Sequence, residues 1–245
     1  IKINCLNESD FLTELVQTLK KAKIKLLLIS FPHNPTTLTV DQVFYDNLIE
    51  LAEKYNFLIV NDFAYSDIYF GGNKPPSLLS SDKSLSHSIE LYSLTKGFSM
   101  AGWRVGFAVG NKDAISSVTK LKSYIDYGTF QPIQIASTVA LNELEEYPFE
   151  LSSVYKERRE LIVENLEDLN FSVQESTATM FVWAKLPEKF RNDSLKFSLE
   201  LLEKSNVAIS PGVGFGKYGE GYIRIALVEN KQRIRQAMKN IKAAL

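Results

Sequence analysis

Apolar positions along the first 110 residues follow two alternating periods. In residues 11–23, FLTELVQTLKKAK, apolar side chains recur at helical spacing, and the last turn carries the lysines that a helix C-terminus favours. LLLIS, 26–30, is a short unbroken apolar run and predicts a buried parallel strand. FPHNPTT, 31–37, sets two prolines around His33 and Asn34 and predicts a turn. DQVFYDNLIELAEKY, 41–55, predicts an amphipathic helix with Asp41 as its N-cap. FLIVND (57–62), SIELYSL (88–94) and WRVGFAVG (103–110) predict three further strands. Strands alternating with helices predict an α/β architecture: a mostly parallel sheet covered on both faces.

The pattern changes after Gly110. KDAISSVTKLKSYIDY and PIQIASTVALNELEE read as helices, and residues 150–169 as a strongly charged amphipathic helix. Short strands then alternate with helices: FSVQ, MFVWAKL, SLKFSLELLEKS, VAIS, YIRIAL and KQRIRQAMKNIKAAL. This predicts a smaller α+β domain over 150–245. A larger domain is expected over 1–120, with connecting helices over 121–149.

Composition narrows the classes. The chain of 245 residues has 45% hydrophobic and 23% charged positions, with Lys+Arg 28 against Asp+Glu 29. That balance supplies no basic field for nucleic acid or an anionic membrane. A single cysteine, Cys5, excludes an internal disulfide framework, and two histidines leave little for a zinc site. No apolar run approaches the ~20 residues that span a bilayer. A cytoplasmic protein is expected. The chain starts at Ile1 and runs at once into strand-like IKIN, so a natural N-terminus is expected to be missing.

In α/β sheets, ligands bind beyond the carboxyl ends of the strands. Asn34 follows the first strand; Asp62 ends the second, with Tyr65 just after it; Ser93 and Lys96 follow the third. Arg104 begins the fourth, which is therefore expected to run antiparallel to its neighbours. Each alone has an ordinary reading as a turn, cap, packing or surface residue. Together they supply an amide, a carboxylate, a phenol, a hydroxyl, an amine and a guanidinium at one edge. An amine can form a Schiff base with an aldehyde cofactor. Pyridoxal phosphate needs such a lysine and a carboxylate on its ring nitrogen, which suits Lys96 and Asp62. Asn34 and Tyr65 suit the cofactor's phenolate oxygen, and Arg104 and Ser93 its phosphate. A displaced lysine can then carry a proton as base and acid.

The stretch Ser93-Leu94-Thr95-Lys96-x-x-Ser99-Met100-x-Gly102-x-Arg104-Val105-Gly106 resembles the lysine signature of the class I/II, fold type I pyridoxal-phosphate aminotransferases. Asn34–Thr36 resembles the family's Asn-Pro-Thr-Gly turn, departing at Thr37, where glycine is usual. NDFAYSD, 61–67, resembles the second strand-end motif with Asp62 and Tyr65. YIRIAL resembles the strand bearing the arginine that clamps the substrate α-carboxylate, which assigns that role to Arg224, with Asn34 beside the substrate. The resemblance implies catalytic roles for Lys96, Asp62 and Tyr65, and pyridoxal 5'-phosphate as cofactor. Substrates are then amino acids and 2-oxo acids, and the assembly a homodimer. A carbon–sulfur lyase of the same fold is the alternative enzyme.

In the family, the segment before the Asn-Pro-Thr turn is much longer than the 33 residues here and carries a glycine-containing phosphate turn and an aromatic ring that stacks on the cofactor. No glycine precedes Gly71. The chain therefore resembles the C-terminal part of such an enzyme, with an incomplete large domain, and a fragment that holds no cofactor is a third reading. PGVGFGKYGEG, 211–221, lacks the ending of a phosphate loop and reads either as a mobile loop near the site or as a structural turn. KERRE, 156–160, reads as a solvated helix face.

Overall fold

The computed structural model describes residues 8–190 and 193–245. Cys5 and the strand-like IKIN lie outside the described residues. Two compact units emerge. The first runs through Pro32 and then takes Thr39–Asp67 and Asn73–Pro148; the second takes His33–Leu38, Ile68–Gly72 and Phe149–Leu245.

The first unit holds a sheet of order β1-β2-β3-β4, with β1 at Leu26–Ser30, β2 at Leu58–Asp62, β3 at Ser88–Ser93 and β4 at Gly106–Gly110. β1, β2 and β3 are parallel, and β4 runs antiparallel to β3, as the placement of Arg104 requires. Arg104 itself does not begin the strand. It caps a short 3-10 turn in the left-handed conformation, φ 53°, two residues before β4.

Helices α1 (Glu8–Lys21) and α2 (Gln42–Tyr55) form the core of this unit. Phe11, Leu15 and Leu19 recur at i, i+4, i+8 on α1 and are buried. Asp41 caps α2 by accepting from Phe44 N at 2.7 Å, and Asn56 ends it in the left-handed region, φ 52°. Phe11, Phe31 and Phe44 meet edge to face, with centroids 5.4–6.1 Å apart, the arrangement their ring quadrupoles favour.

The expected cover on both faces is not found among the described residues. Leu27, Ile29 and Ile59 are buried, but Leu26 and Leu28, on the opposite face of β1, are 51% and 66% exposed. On β4, Phe107 and Val109 are each 43% exposed. Helix α4 (Lys112–Ile125) buries none of its side chains, and α5 (Gln131–Glu143) buries Ser137 and Ala140. An unbroken apolar run signals that both faces of a strand want cover, but it cannot say which segment provides it.

A buried polar network ties the strands together. Asn61, fully buried on β2, accepts from Phe31 N at 3.2 Å and donates to Tyr45 Oη at 3.1 Å and Glu90 Oε1 at 3.2 Å. Glu90, on β3, also accepts from Ser77 Oγ at 2.6 Å and Leu78 N at 2.7 Å. Burial holds the Tyr45 phenol above its usual pKa, so it stays protonated.

The second unit holds an antiparallel sheet of order β5-β6-β8-β7: β5 Ser172–Val173, β6 Phe181–Lys185, β7 Ser210–Pro211 and β8 Tyr222–Ala226. Helix α7 (Ser194–Ser205) buries Phe197, Leu201 and Ser205, and α8 (Lys231–Ala244) buries Ile234, Met238 and Ile241. Most of α6 (Tyr147–Asp168) lies in this unit and buries Ile162 and Leu166. Within the glycine-rich stretch a Cβ on Gly212 would stand 2.0 Å from Gly219 O, so the two backbones meet where no side chain fits. No helix among the described residues is long and apolar enough to cross a membrane.

Asp82 gives the first unit an acid-sensitive joint. Burial raises its pKa, but acceptance from His87 N, Ser88 Oγ, Ser84 Oγ and Ser86 N outweighs burial and lowers it overall. A depressed folded pKa stabilises the fold above the ordinary value of 3.8, and that stability is lost as pH falls below it. Asp82→Asn is expected to lower the thermal midpoint at pH 7 and to flatten the loss of stability below pH 3.8, measured by circular dichroism melts across pH.

Candidate active site

The candidate residues fall into two groups, one in each unit. In the first, Asp62 closes β2 and Ser93 closes β3, and Ser93 pairs with Gly106 at the start of β4. Asp62, Ser93 and Arg104 therefore mark one edge of the sheet. β3 passes straight into α3 (Leu94–Gly97), a single turn. Ser93 is both the last strand residue and the helix cap, its Oγ accepting from Thr95 N at 3.2 Å. Leu94, fully buried, clusters with Met100 and Ala140, and Tyr92, Phe98 and Val105 pack against them. That apolar anchor holds the turn, and Lys96 rides on it.

Lys96 is half-buried, and its Nζ lies 5.8 Å from the centroid of the Tyr65 ring, within cation–π range. Tyr65 is buried. The path from β2 to Tyr65 is set by Asp62, whose Oδ1 accepts from Ala64 N at 3.2 Å in an Asx-type turn. Asp62 itself is exposed, on the face opposite Asn61. Arg104 is exposed and donates to Ala101 O at 3.3 Å.

In the second unit, Arg224 on β8 donates through Nη1 to Asn34 Oδ1 at 2.7 Å and through Nη2 to Ser210 Oγ at 3.5 Å. Its guanidinium lies between two rings, 4.2 Å from the centroid of Phe181 and 4.4 Å from that of Phe215. The sandwich fixes the plane of the fork while its edge keeps the polar contacts. His33 Nδ1 meets Thr36 Oγ1 at 2.6 Å, and burial holds its pKa below the ordinary 6.5, so the ring is neutral at pH 7.

Ser210, Phe181 and Phe215 escape a reading by motif. Phe181 lies in an apolar strand run and Phe215 among glycines, and neither pattern marks an arginine partner. Asp67 escapes too, although it closes the quoted stretch NDFAYSD.

These features define an α/β protein with a lysine turn at a sheet edge and a ring-clamped arginine on a second sheet. The sequence profile of the family "Aminotransferase class I and II" matches residues 2–241, and the chain belongs to that family. It is 41% identical over 237 residues to the glutamate-pyruvate aminotransferase AlaC of Escherichia coli, covering 96% of this chain and 58% of that one. It is 42% identical over 236 residues to the LL-diaminopimelate aminotransferase of Natranaerobius thermophilus, covering 96% and 61%. The substrate-bound BacF structure from Bacillus subtilis superposes with TM-score 0.86 at 34% identity, over 93% of this chain and 57% of that one. The expected fold class holds. The chain spans little more than half the length of these relatives.

Thr37, where the family's turn usually has glycine, takes φ 65°, a left-handed conformation costly for a β-branched residue. It is 1% exposed, and its Oγ1 has no hydrogen-bond partner among the described residues. Both features cost more than the lost methyl and the added chain entropy of glycine return. Thr37→Gly is expected to raise stability by about 1 kcal/mol, read as a higher urea midpoint at unchanged slope.

Proposed function

We propose that this chain is the lysine-bearing portion of a pyridoxal-phosphate aminotransferase that moves an amino group from an L-amino acid to a 2-oxo acid. The observation that carries the reading is Lys96 on an anchored turn at the sheet edge, with its Nζ over Tyr65, following the strand paired with the one that Asp62 closes. One amine, one carboxylate, one phenol, one hydroxyl and one guanidinium at that edge suit this cofactor's functional groups. When bound, the cofactor supplies an aldehyde and an electron-accepting pyridine ring.

The chain's own residues have distinct tasks. Lys96 would hold the aldehyde, and its amine would move a proton at the substrate α-carbon. Asp62 would keep a proton on the pyridine nitrogen. Tyr65 would donate to the phenolate oxygen. Ser93 and Arg104 would bind the phosphate. Arg224, clamped by its two rings, takes the α-carboxylate in two parallel hydrogen bonds, with Asn34 alongside.

The bare sheet face over Leu26 and Leu28 supports the view that the relatives' additional length completes the large domain. Val118, Leu121 and Ile125 form an exposed apolar row on α4, which supports assembly as a homodimer. The relatives' names favour glutamate and pyruvate, or LL-diaminopimelate, as substrates.

The test is a panel of amino donors against pyruvate and 2-oxoglutarate in the full-length protein. Lys96→Ala is expected to abolish transfer and Asp62→Ala to lower it at least 100-fold (about 2.7 kcal/mol), with folding yield kept. Ammonia and pyruvate released from cysteine-type substrates without any 2-oxo acid would instead identify a lyase.

A further inference from the structure

One buried carboxylate beside the lysine turn has no task in the reading above. Asp67 is 6% exposed and lies in the first unit, five residues after Asp62. Its Oδ2 accepts from Tyr92 Oη, and its Oδ1 pairs with Lys74 Nζ at 2.8 Å. A third side lies against Gly97, where a Cβ would stand 2.9 Å from both Asp67 Cβ and Oδ2. The Lys74 side chain is 60% exposed, so that pair contributes little by itself.

The other two contacts flank Lys96 in sequence. Tyr92 lies four residues before it and Gly97 one residue after. Tyr92 is itself held: its ring stacks on Phe107 with centroids 4.7 Å apart, and it packs against the cluster of Leu94 and Met100. Burial and the Asp67 carboxylate together hold the Tyr92 phenol above its usual pKa, so its proton stays in the hydrogen bond. A phenol donating to a buried carboxylate is a charge-assisted bond, stronger than a neutral one. Asp67 also shares one short segment with Asp62 and Tyr65, so a shift of either segment reaches the other.

We propose that Asp67 is the positioning residue for Lys96, clamping the turn that carries the lysine to the segment that carries Asp62 and Tyr65. The proposal rests on Lys96 being the cofactor lysine. Asp67 touches neither substrate nor cofactor in this role. It acts by holding the backbone on both sides of the lysine, where a misplacement of about 1 Å can cost up to 100-fold in rate.

The test uses the full-length protein stripped of cofactor. Attachment of added pyridoxal 5'-phosphate is followed by stopped-flow absorbance, beside kcat, KM and the thermal midpoint. Asp67→Ala is expected to slow attachment and kcat together by roughly 10-fold to 100-fold, with KM for the amino donor within about twofold. Asp67→Asn keeps an acceptor for the Tyr92 hydroxyl and is expected to recover most of the rate. Should Asp67→Ala fail to fold, Tyr92→Phe removes only the hydroxyl and is expected to slow attachment by about 10-fold. Attachment at the wild-type rate in Asp67→Ala or Tyr92→Phe overturns the proposal. So does a lowered thermal midpoint with no change in attachment. A wild-type protein that attaches no cofactor contradicts the enzyme reading itself, and the Asp67 proposal falls with it.

Discussion

The hydrogen bonds of the Asn61 amide set the edge on which the lysine turn sits. Asn61 is on the middle strand of the parallel trio, fully buried, and its side chain reaches the backbone after β1, the phenol of α2 and the carboxylate of β3. Without it, Phe31 N, Tyr45 Oη and Glu90 Oε1 each lose one polar contact, although Glu90 still accepts from Ser77 Oγ and Leu78 N. The alternation of a strand then does the rest. With Asn61 turned into the core, Asp62 must face the other way, at the end of the strand. The polar network and the exposed carboxylate are consecutive residues serving opposite faces.

The lysine turn depends on a second kind of constraint. β3 ends and α3 begins at the same residue, Ser93, so the turn has no slack between sheet and helix. Leu94 secures it from below through apolar packing. The arginine of the second unit is fixed by different means, two aromatic faces and a neighbouring amide. For Arg224, side-chain ordering that costs up to ~2 kcal/mol of rotamer entropy is met by the two rings before any ligand arrives; for Lys96, packing of Leu94 holds the backbone turn that carries it.

Much of this was legible in the residues. LLLIS coincides with β1, Asp41 caps α2, and the antiparallel β4 followed from where Arg104 had to lie. Those features are local or follow from connection rules. The strand start at Arg104 was misplaced because apolar content hides a left-handed residue: Trp103 and Val105 look like strand, and only φ 53° breaks it. The cover over both sheet faces failed because burial belongs to partners in space, and a strand's own sequence cannot name them. Asp67 went unread because an acidic residue closing a turn motif looks solvated until Tyr92 and Gly97 are seen against it.

The most direct measurement of the central claim is peptide mapping by mass spectrometry after borohydride reduction of the full-length protein with pyridoxal 5'-phosphate. The account predicts a pyridoxyl adduct on Lys96 and on no other lysine at stoichiometric cofactor. An adduct confined to another lysine, or none under conditions where the protein is folded, contradicts it.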